Sequence, residues 1–176
     1  MRNPLKIVLV GMPGSGKSTF GRKLAKELNF AFIDLDHLIE NEEGREIKDI
    51  FTNEGEGVFR QLETKYLNIA LDNVEGFVLS TGGGTPCFND NMDLINQKGV
   101  SVYLDVPINE IFRRFSMDMA GDRPMFAGLS SGEITLKLKD LLASREQYYD
   151  QAKIKLSGED IPTELLVSEL LTFFRN

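Results

Sequence analysis

A chain of 176 residues is long enough to close one α/β domain around a substantial core and slightly short for two. Its 41% hydrophobic and 27% charged residues are ordinary for a globular protein, and a net charge of −7 argues against nucleic acid or another polyanion as the main partner. The single cysteine, Cys87, excludes an internal disulfide, and the lack of a membrane-length apolar run or a signal-peptide pattern leads us to expect a cytoplasmic chain that engages no membrane.

Leu5 to Val10 is a short, mostly apolar, β-branched run that reads as a buried strand. It leads into Gly11-Met12-Pro13-Gly14-Ser15-Gly16-Lys17-Ser18-Thr19, which fits G-x-x-x-x-G-K-[ST]. A helix follows, with Phe20, Leu24 and Leu28 on one face. Strand, glycine-rich turn and helix form the context a phosphate-binding loop needs. The backbone N–H groups of Gly14, Ser15, Gly16, Lys17, Ser18 and Thr19 converge there on an anion at a helix N-terminus. Lys17 is expected to reach the β- and γ-phosphates of a purine nucleotide triphosphate, and the Ser18 hydroxyl to ligate Mg²⁺.

Phe30 to Ile33 reads as a second strand ending at Asp34-Leu35-Asp36, the end at which open α/β sheets place ligands. One of these acids is equally suited to cap the next helix, expected over His37 to Glu40. Two together beside a phosphate loop suit a kinase, which needs one carboxylate near Mg²⁺ and another at the accepting hydroxyl. A short helix is expected around Ile47 to Phe51. A stronger one runs from Val58 to Ala70, with Phe59, Leu62, Tyr66 and Ile69 as its apolar stripe and Arg60, Glu63 and Lys65 off it. Arg60 and Glu63 are spaced to pair, which is also what an ordinary surface salt bridge would do.

Phe77 to Ser80 is a third strand that runs into Gly82-Gly83-Gly84. Three glycines in a row cost chain entropy and imply that the backbone must approach a ligand closely. A helix is expected from Asn89, with Met92, Leu94 and Ile95 as its apolar side, followed by a fourth strand over Val100 to Leu104. Ile108 to Phe115 starts a helix carrying Arg113-Arg114. Periodicity then fails through Ser116 to Pro124, as in either a mobile lid or a solvated surface loop. Ser130 and Glu133 form a capping box ahead of a helix with Leu138, Leu141, Leu142, Arg145 and Tyr149 at helical spacing, so Arg145 lies near the apolar face. Ile154 to Leu156 is a fifth strand. A final helix is expected to carry Leu165, Leu166, Leu170 and Phe173. Strands alternating with helices give a parallel sheet covered on both faces. His37 and Cys87 read as structural, with no partner suggesting a metal site.

Taken together and in order, the phosphate loop, the Asp34/Asp36 pair, Phe59-Arg60 with Glu63, the triple glycine, Arg123-Pro124, and Arg145 with Tyr149 resemble shikimate kinase. The resemblance runs from about Val8 to Pro162. It implies an α/β P-loop kinase fold, a three-layer α/β/α sandwich whose five-stranded parallel sheet has the order 2-3-1-4-5. It implies one domain over 1–176, with the phosphate loop at 11–19, a substrate-binding segment at about 34–63 and a mobile lid at about 113–128. Transfer of the ATP γ-phosphate to the 3-hydroxyl of shikimate follows, with Mg²⁺ as cofactor, by a monomer whose partners are those two small molecules. By the same resemblance Asp36 orients or deprotonates the acceptor hydroxyl, Asp34 supports Mg²⁺, and Arg60 and Arg145 grip the carboxylate with Glu63 fixing Arg60. Gly82, Gly83 and Gly84 contact the substrate. Arg123 descends onto the phosphates, Arg113 or Arg114 lies near the nucleotide, and Pro162 flanks adenine. Met125-Phe126 after Arg123-Pro124, and Glu159-Asp160 before the adenine position, depart from the family pattern. The alternatives are a P-loop kinase acting on another small acceptor, such as gluconate or a nucleoside monophosphate, and a nucleotide-binding module without catalysis.

Overall fold

Apolar runs of four to six residues set the frame of the computed structural model, which describes residues 4–117 and 128–174. β1 (Lys6–Val10), β2 (Ala31–Asp34), β3 (Phe77–Ser80), β4 (Val100–Asp105) and β5 (Ile154–Ser157) pair in parallel in the order β2-β3-β1-β4-β5. β1 and β3 are buried on both faces, which is why they read as continuous hydrophobic runs rather than as alternation.

The helices are α1 (Lys17–Leu28), α2 (Leu35–Glu43), α3 (Ile47–Leu71), α4 (Asn91–Lys98), α5 (Ile108–Met117), α6 (Ser131–Tyr149) and α7 (Thr163–Phe173). Alternate residues of β1 point to opposite sides. Ile7 and Leu9 join Leu24, Leu166 and Leu170 in a core under α1 and α7, while Val8 and Val10 join Ile39, Leu67, Ile95 and Leu138 under the helices of the other face. The result is the expected three-layer α/β/α sandwich. Among the described residues no helix is long and apolar enough to cross a membrane.

Several local expectations need correction. α2 begins at Leu35, directly after β2, because Asp34 caps it by accepting from the His37 N–H. α4 begins at Asn91 rather than Asn89, since Asn89 and Asp90 adopt positive φ after a 3₁₀ turn over Thr85–Cys87. α3 unites both helices expected between 47 and 70, with a break at Gly55 (φ 83°, ψ 173°). Its buried face is Phe59, Glu63, Tyr66, Leu67 and Ala70, whereas Ile69 is 55% exposed. Glu63, expected off the apolar stripe, is thus buried, and Ile69, expected on it, is not. On α7, Leu166 and Leu170 are buried but Leu165 and Phe173 are exposed. Ser130 caps α6 with Glu133, as the spacing predicted. Arg123, Pro124, Met125 and Phe126, hence most of the expected lid, lie outside the described residues.

Candidate active site

The loop between β1 and α1 turns sharply enough that Gly14 and Gly16 take φ of 82° and 87°, the left-handed region that side chains disfavour. Gly16 is the N-cap of α1, so the first free N–H groups of that helix face the cavity beyond. Lys17 is buried, and its ammonium donates to the Gly11 and Met12 carbonyls at 2.9 Å each. The Ser18 hydroxyl donates to Asp34 Oδ2 at 2.7 Å and lies 3.1 Å from Ser80 Oγ. Asp34 therefore divides its oxygens: one caps α2 and the other accepts from Ser18.

A cavity of about 500 Å³ spans the phosphate loop, Asp34, Asp36 and the glycine segment. Asp36, in the first turn of α2, has its Oδ1 sealed from solvent with no hydrogen-bond partner. Burial, then the negative charges of Glu63 and Asp34, push its carboxyl from 3.8 up to about 6, with Lys17 pulling the other way. Glu63 accepts from Arg60 Nη1 at 2.5 Å and from the Thr85 hydroxyl at 2.6 Å. The pairing left open by the spacing of Arg60 and Glu63 is a buried one. Arg60 also donates through Nε and Nη2 to Glu56.

The glycines also make room for side chains of the site itself. A Cβ on Gly82 would stand 3.0 Å from Glu63 Oε1 and 3.3 Å from Asp36 Oδ1, and one on Gly84 would stand 2.8 Å from Arg60 Nη1 and Nη2. The backbone approaches the site's own charged side chains. Arg145 reaches the same corner from α6. Its charge, with that of Arg60, acts on Cys87, whose thiol burial nevertheless pushes up to about 11, leaving it a poor nucleophile. Beside Arg145, the buried Tyr149 donates its hydroxyl to the Gly83 carbonyl at 2.5 Å.

A second cavity of about 450 Å³ lies on the other side of the phosphate loop, bordered by Ser15, Thr19, Leu104, Arg114 and the Glu159–Thr163 segment that contains Pro162. Arg114 borders both cavities. It donates to the Ser15 and Gly14 carbonyls at 3.1 and 3.4 Å, to the Glu159 carbonyl, and to Glu110 at 2.7 Å. Of the two arginines the sequence offered, Arg114 is the one at the cavities, while Arg113 pairs with Glu110 at 2.7 Å and is largely exposed. Glu110 was missed, although its i+3 and i+4 spacing to two arginines was legible. Thr85 and Phe88, which touch Glu63 and Arg60, carried no sequence signal.

Among the described residues no cluster of three or more His, Cys, Asp or Glu side chains could hold a metal by itself. A hydroxyl and a carboxylate, Ser18 and Asp34, do sit together on the cavity wall. That sparse oxygen set suits Mg²⁺, which takes one or two protein oxygens and completes its shell with phosphate and water.

The sequence model of the family described as Shikimate kinase matches residues 13–175. A shikimate kinase of Sulfurihydrogenibium sp. (strain YO3AOP1) is 42% identical over 166 residues, covering 94% of this chain and 95% of that protein. The crystal structure of shikimate kinase from Bacteroides thetaiotaomicron superposes with a TM-score of 0.88 at 34% identity, over 98% of this chain and 99% of the other. Shikimate kinase from Acinetobacter baumannii, solved in complex with shikimate, gives 0.83 at 34% identity over 97% and 93% of the two chains. Sequence and fold agree over nearly the full length of each relative, and the chain belongs to the shikimate kinase family.

Proposed function

We infer that this chain transfers the γ-phosphate of ATP to the 3-hydroxyl of shikimate, giving shikimate 3-phosphate and ADP in aromatic amino-acid biosynthesis. The observation that carries the reading is the shared cavity: Lys17 and Ser18 of the phosphate loop open into the same space as the unpartnered Asp36 oxygen. Donor and acceptor machinery are in one enclosure.

Phosphoryl transfer asks chiefly for positioning and for neutralisation of charge. The Lys17 ammonium exchanges its two loop carbonyls for the β- and γ-phosphate oxygens, and the N–H groups of Gly14 to Thr19 cradle the rest. Ser18 and Asp34 are the residues that would hold Mg²⁺, which when bound supplies charge neutralisation at the phosphates. Asp36 orients the acceptor hydroxyl and takes its proton at the free Oδ1. With a pKa near 6 it is a carboxylate at neutral pH, yet close enough to that pH to accept a proton effectively.

Arg60 and Arg145 hold the substrate carboxylate, with the glycine segment 82–84 along its hydroxyl side. Guanidinium is the suitable donor because its fork matches a carboxylate. The adenine occupies the second cavity between Arg114 and Pro162. Arg123 completes the phosphate clamp from the lid. The chain acts as a single domain over 1–176 and as a cytoplasmic monomer, which its size and acidic charge support.

The test is ADP release in a coupled assay with Mg²⁺-ATP, with and without shikimate, beside a panel of other acceptors. Shikimate is expected to stimulate release many-fold above background and above the other acceptors. Stimulation by gluconate or a nucleoside monophosphate instead would reassign the substrate. Lys17→Met is expected to abolish turnover, and a near-normal rate in that variant would remove the phosphate-loop assignment.

A further inference from the structure

Five N–H donors lie in the plane of a guanidinium group. In Arg60 three of them are engaged: Nε and Nη2 on Glu56 Oε1 at 3.1 and 2.9 Å, and Nη1 on Glu63 Oε2 at 2.5 Å. One N–H on each terminal nitrogen is left, a pair able to meet the two oxygens of a carboxylate. Guanidinium N–H groups point along the plane of the group, so hydrogen bonds to Glu56 and Glu63 set its rotation within that plane more firmly than its tilt. Glu56 is also largely exposed, so its grip is soft.

The tilt is governed by what lies against the flat face. The Phe88 ring does so, with the Arg60 Cζ 4.2 Å from its centroid. Phe59 is farther, at 5.2 Å, and its ring also packs at a tilt of 39° against Phe51. Gly84 closes in on Nη1 and Nη2 from the backbone side. Phe88 is itself tied to α3 by its neighbour: Asn89 Nδ2 donates to the Arg60 carbonyl at 3.2 Å and to the Thr64 hydroxyl at 3.0 Å. Ring and guanidinium are thus fixed to the same turn of helix by separate contacts.

We propose that Phe88 is a positioning residue for substrate binding: its ring is the platform that fixes the tilt of the Arg60 guanidinium and so aims the two remaining N–H groups at the acceptor's carboxylate. The proposal rests on the reading of Arg60 as part of the carboxylate grip. It makes Phe88 a determinant of specificity for an ionised acid over a neutral analogue, although the ring need not touch the substrate.

Steady-state kinetics of the full chain with Mg²⁺-ATP test it. Phe88→Leu keeps the apolar bulk and removes the π face. It is expected to raise the shikimate KM by about three- to thirtyfold, the range such a face-on contact accounts for, with the ATP KM and kcat little changed. Phe88→Tyr, which keeps the face, is expected to restore the KM. The methyl ester of shikimate, a neutral acceptor, is expected to show the same KM in Phe88→Leu as in the unmodified enzyme, so that discrimination for the acid shrinks.

Arg60→Gln separates the two layers of the argument. If that variant leaves the shikimate KM unchanged, the reading of Arg60 fails. If it raises KM while Phe88→Leu does not, the reading of Arg60 stands and the role of Phe88 is overturned. A fall in kcat with KM unchanged, or Phe88→Tyr behaving like Phe88→Leu, also overturns it. Thermal unfolding of each variant is followed alongside. Should Phe88→Leu fail to fold, Phe88→Met replaces it, and failure of both would assign the ring to the fold rather than to substrate binding.

Discussion

Asp36 holds a charge that the fold resists, and the sign of that resistance can be worked out. Its carboxyl has a pKa near 6 in the native chain against 3.8 when unfolded, chiefly through burial. Between those values the native state binds a proton that the unfolded state does not, so stability falls as pH rises through the window. Above pH 6 the native state carries the full penalty. Asp36→Asn is therefore expected to raise the melting temperature at pH 8, with the gain fading as pH falls toward 4. The shift sets a ceiling of about 3 kcal/mol at ~1.4 kcal/mol per pH unit; the partial solvent access of the side chain reduces this to about 1–2 kcal/mol, or about 2–8 °C. Calorimetry at the two pH values checks this, and a gain of equal size at both would contradict the cause assigned to the shift. The same ionisation governs chemistry. If Asp36 is the base, kcat/KM for shikimate falls on the acid side with an apparent pKa near 6 in the free enzyme. A profile flat down to pH 5 would move proton transfer to another group.

At the scale of elements, Arg114 joins three pieces of chain: α5 that carries it, the phosphate loop through Gly14 and Ser15, and the segment before α7 through Glu159. Glu110, buried one turn earlier, aims it. Glu110→Ala is expected to raise the ATP KM by about tenfold, as loss of a charge-assisted contact allows, and to leave the shikimate KM within about twofold. A larger effect on shikimate would mean that α5 acts on the other cavity. Tyr149 plays the corresponding part for the acceptor side by tying α6 to Gly83. Tyr149→Phe is expected to raise the shikimate KM alone by several-fold, which the same assay would register. Such ties mark the boundary of what was legible in the sequence. β1, β3 and β4 are buried, mostly apolar runs and the edge strands β2 and β5 still carry closely spaced apolar residues, so all five were found, and the phosphate loop announces itself between a strand and a helix. The buried face of α3 was misread because a hydrophobic stripe cannot display a buried acid. Glu63 is inside only because Arg60 and Thr85 satisfy it. The triple glycine was legible as a close approach, yet its neighbours, Asp36, Glu63 and Arg60, come from helices far away in the chain. Phe88 left no trace, since its meaning lies in a ring meeting a residue 28 positions earlier.

On the scale of the whole molecule, one sheet separates two cores, and the site is assembled where β1, β2 and β3 end above both. α1 rests on one core, and α2, α3 and α6 rest on the other. A ligand that bridges the phosphate loop and Asp36 therefore draws on both sides of the sheet, and the chain is expected to unfold as one cooperative unit. Mg²⁺-ATP at about 100 times its dissociation constant adds about 2.7 kcal/mol to the native state, which for a chain of this size raises the melting temperature by about 5–10 °C. The entire transition is expected to move, without a second step left behind. Lys17→Met is expected to lose most of this shift while keeping most of the smaller one produced by shikimate alone, because the role proposed for its ammonium is at the nucleotide phosphates. If two transitions appeared and ATP moved only one, the cores would be independent and the single-domain reading would fall. If the variant lost both ligand shifts together, Lys17 would be holding the shape of the cavity as well as the phosphate charge.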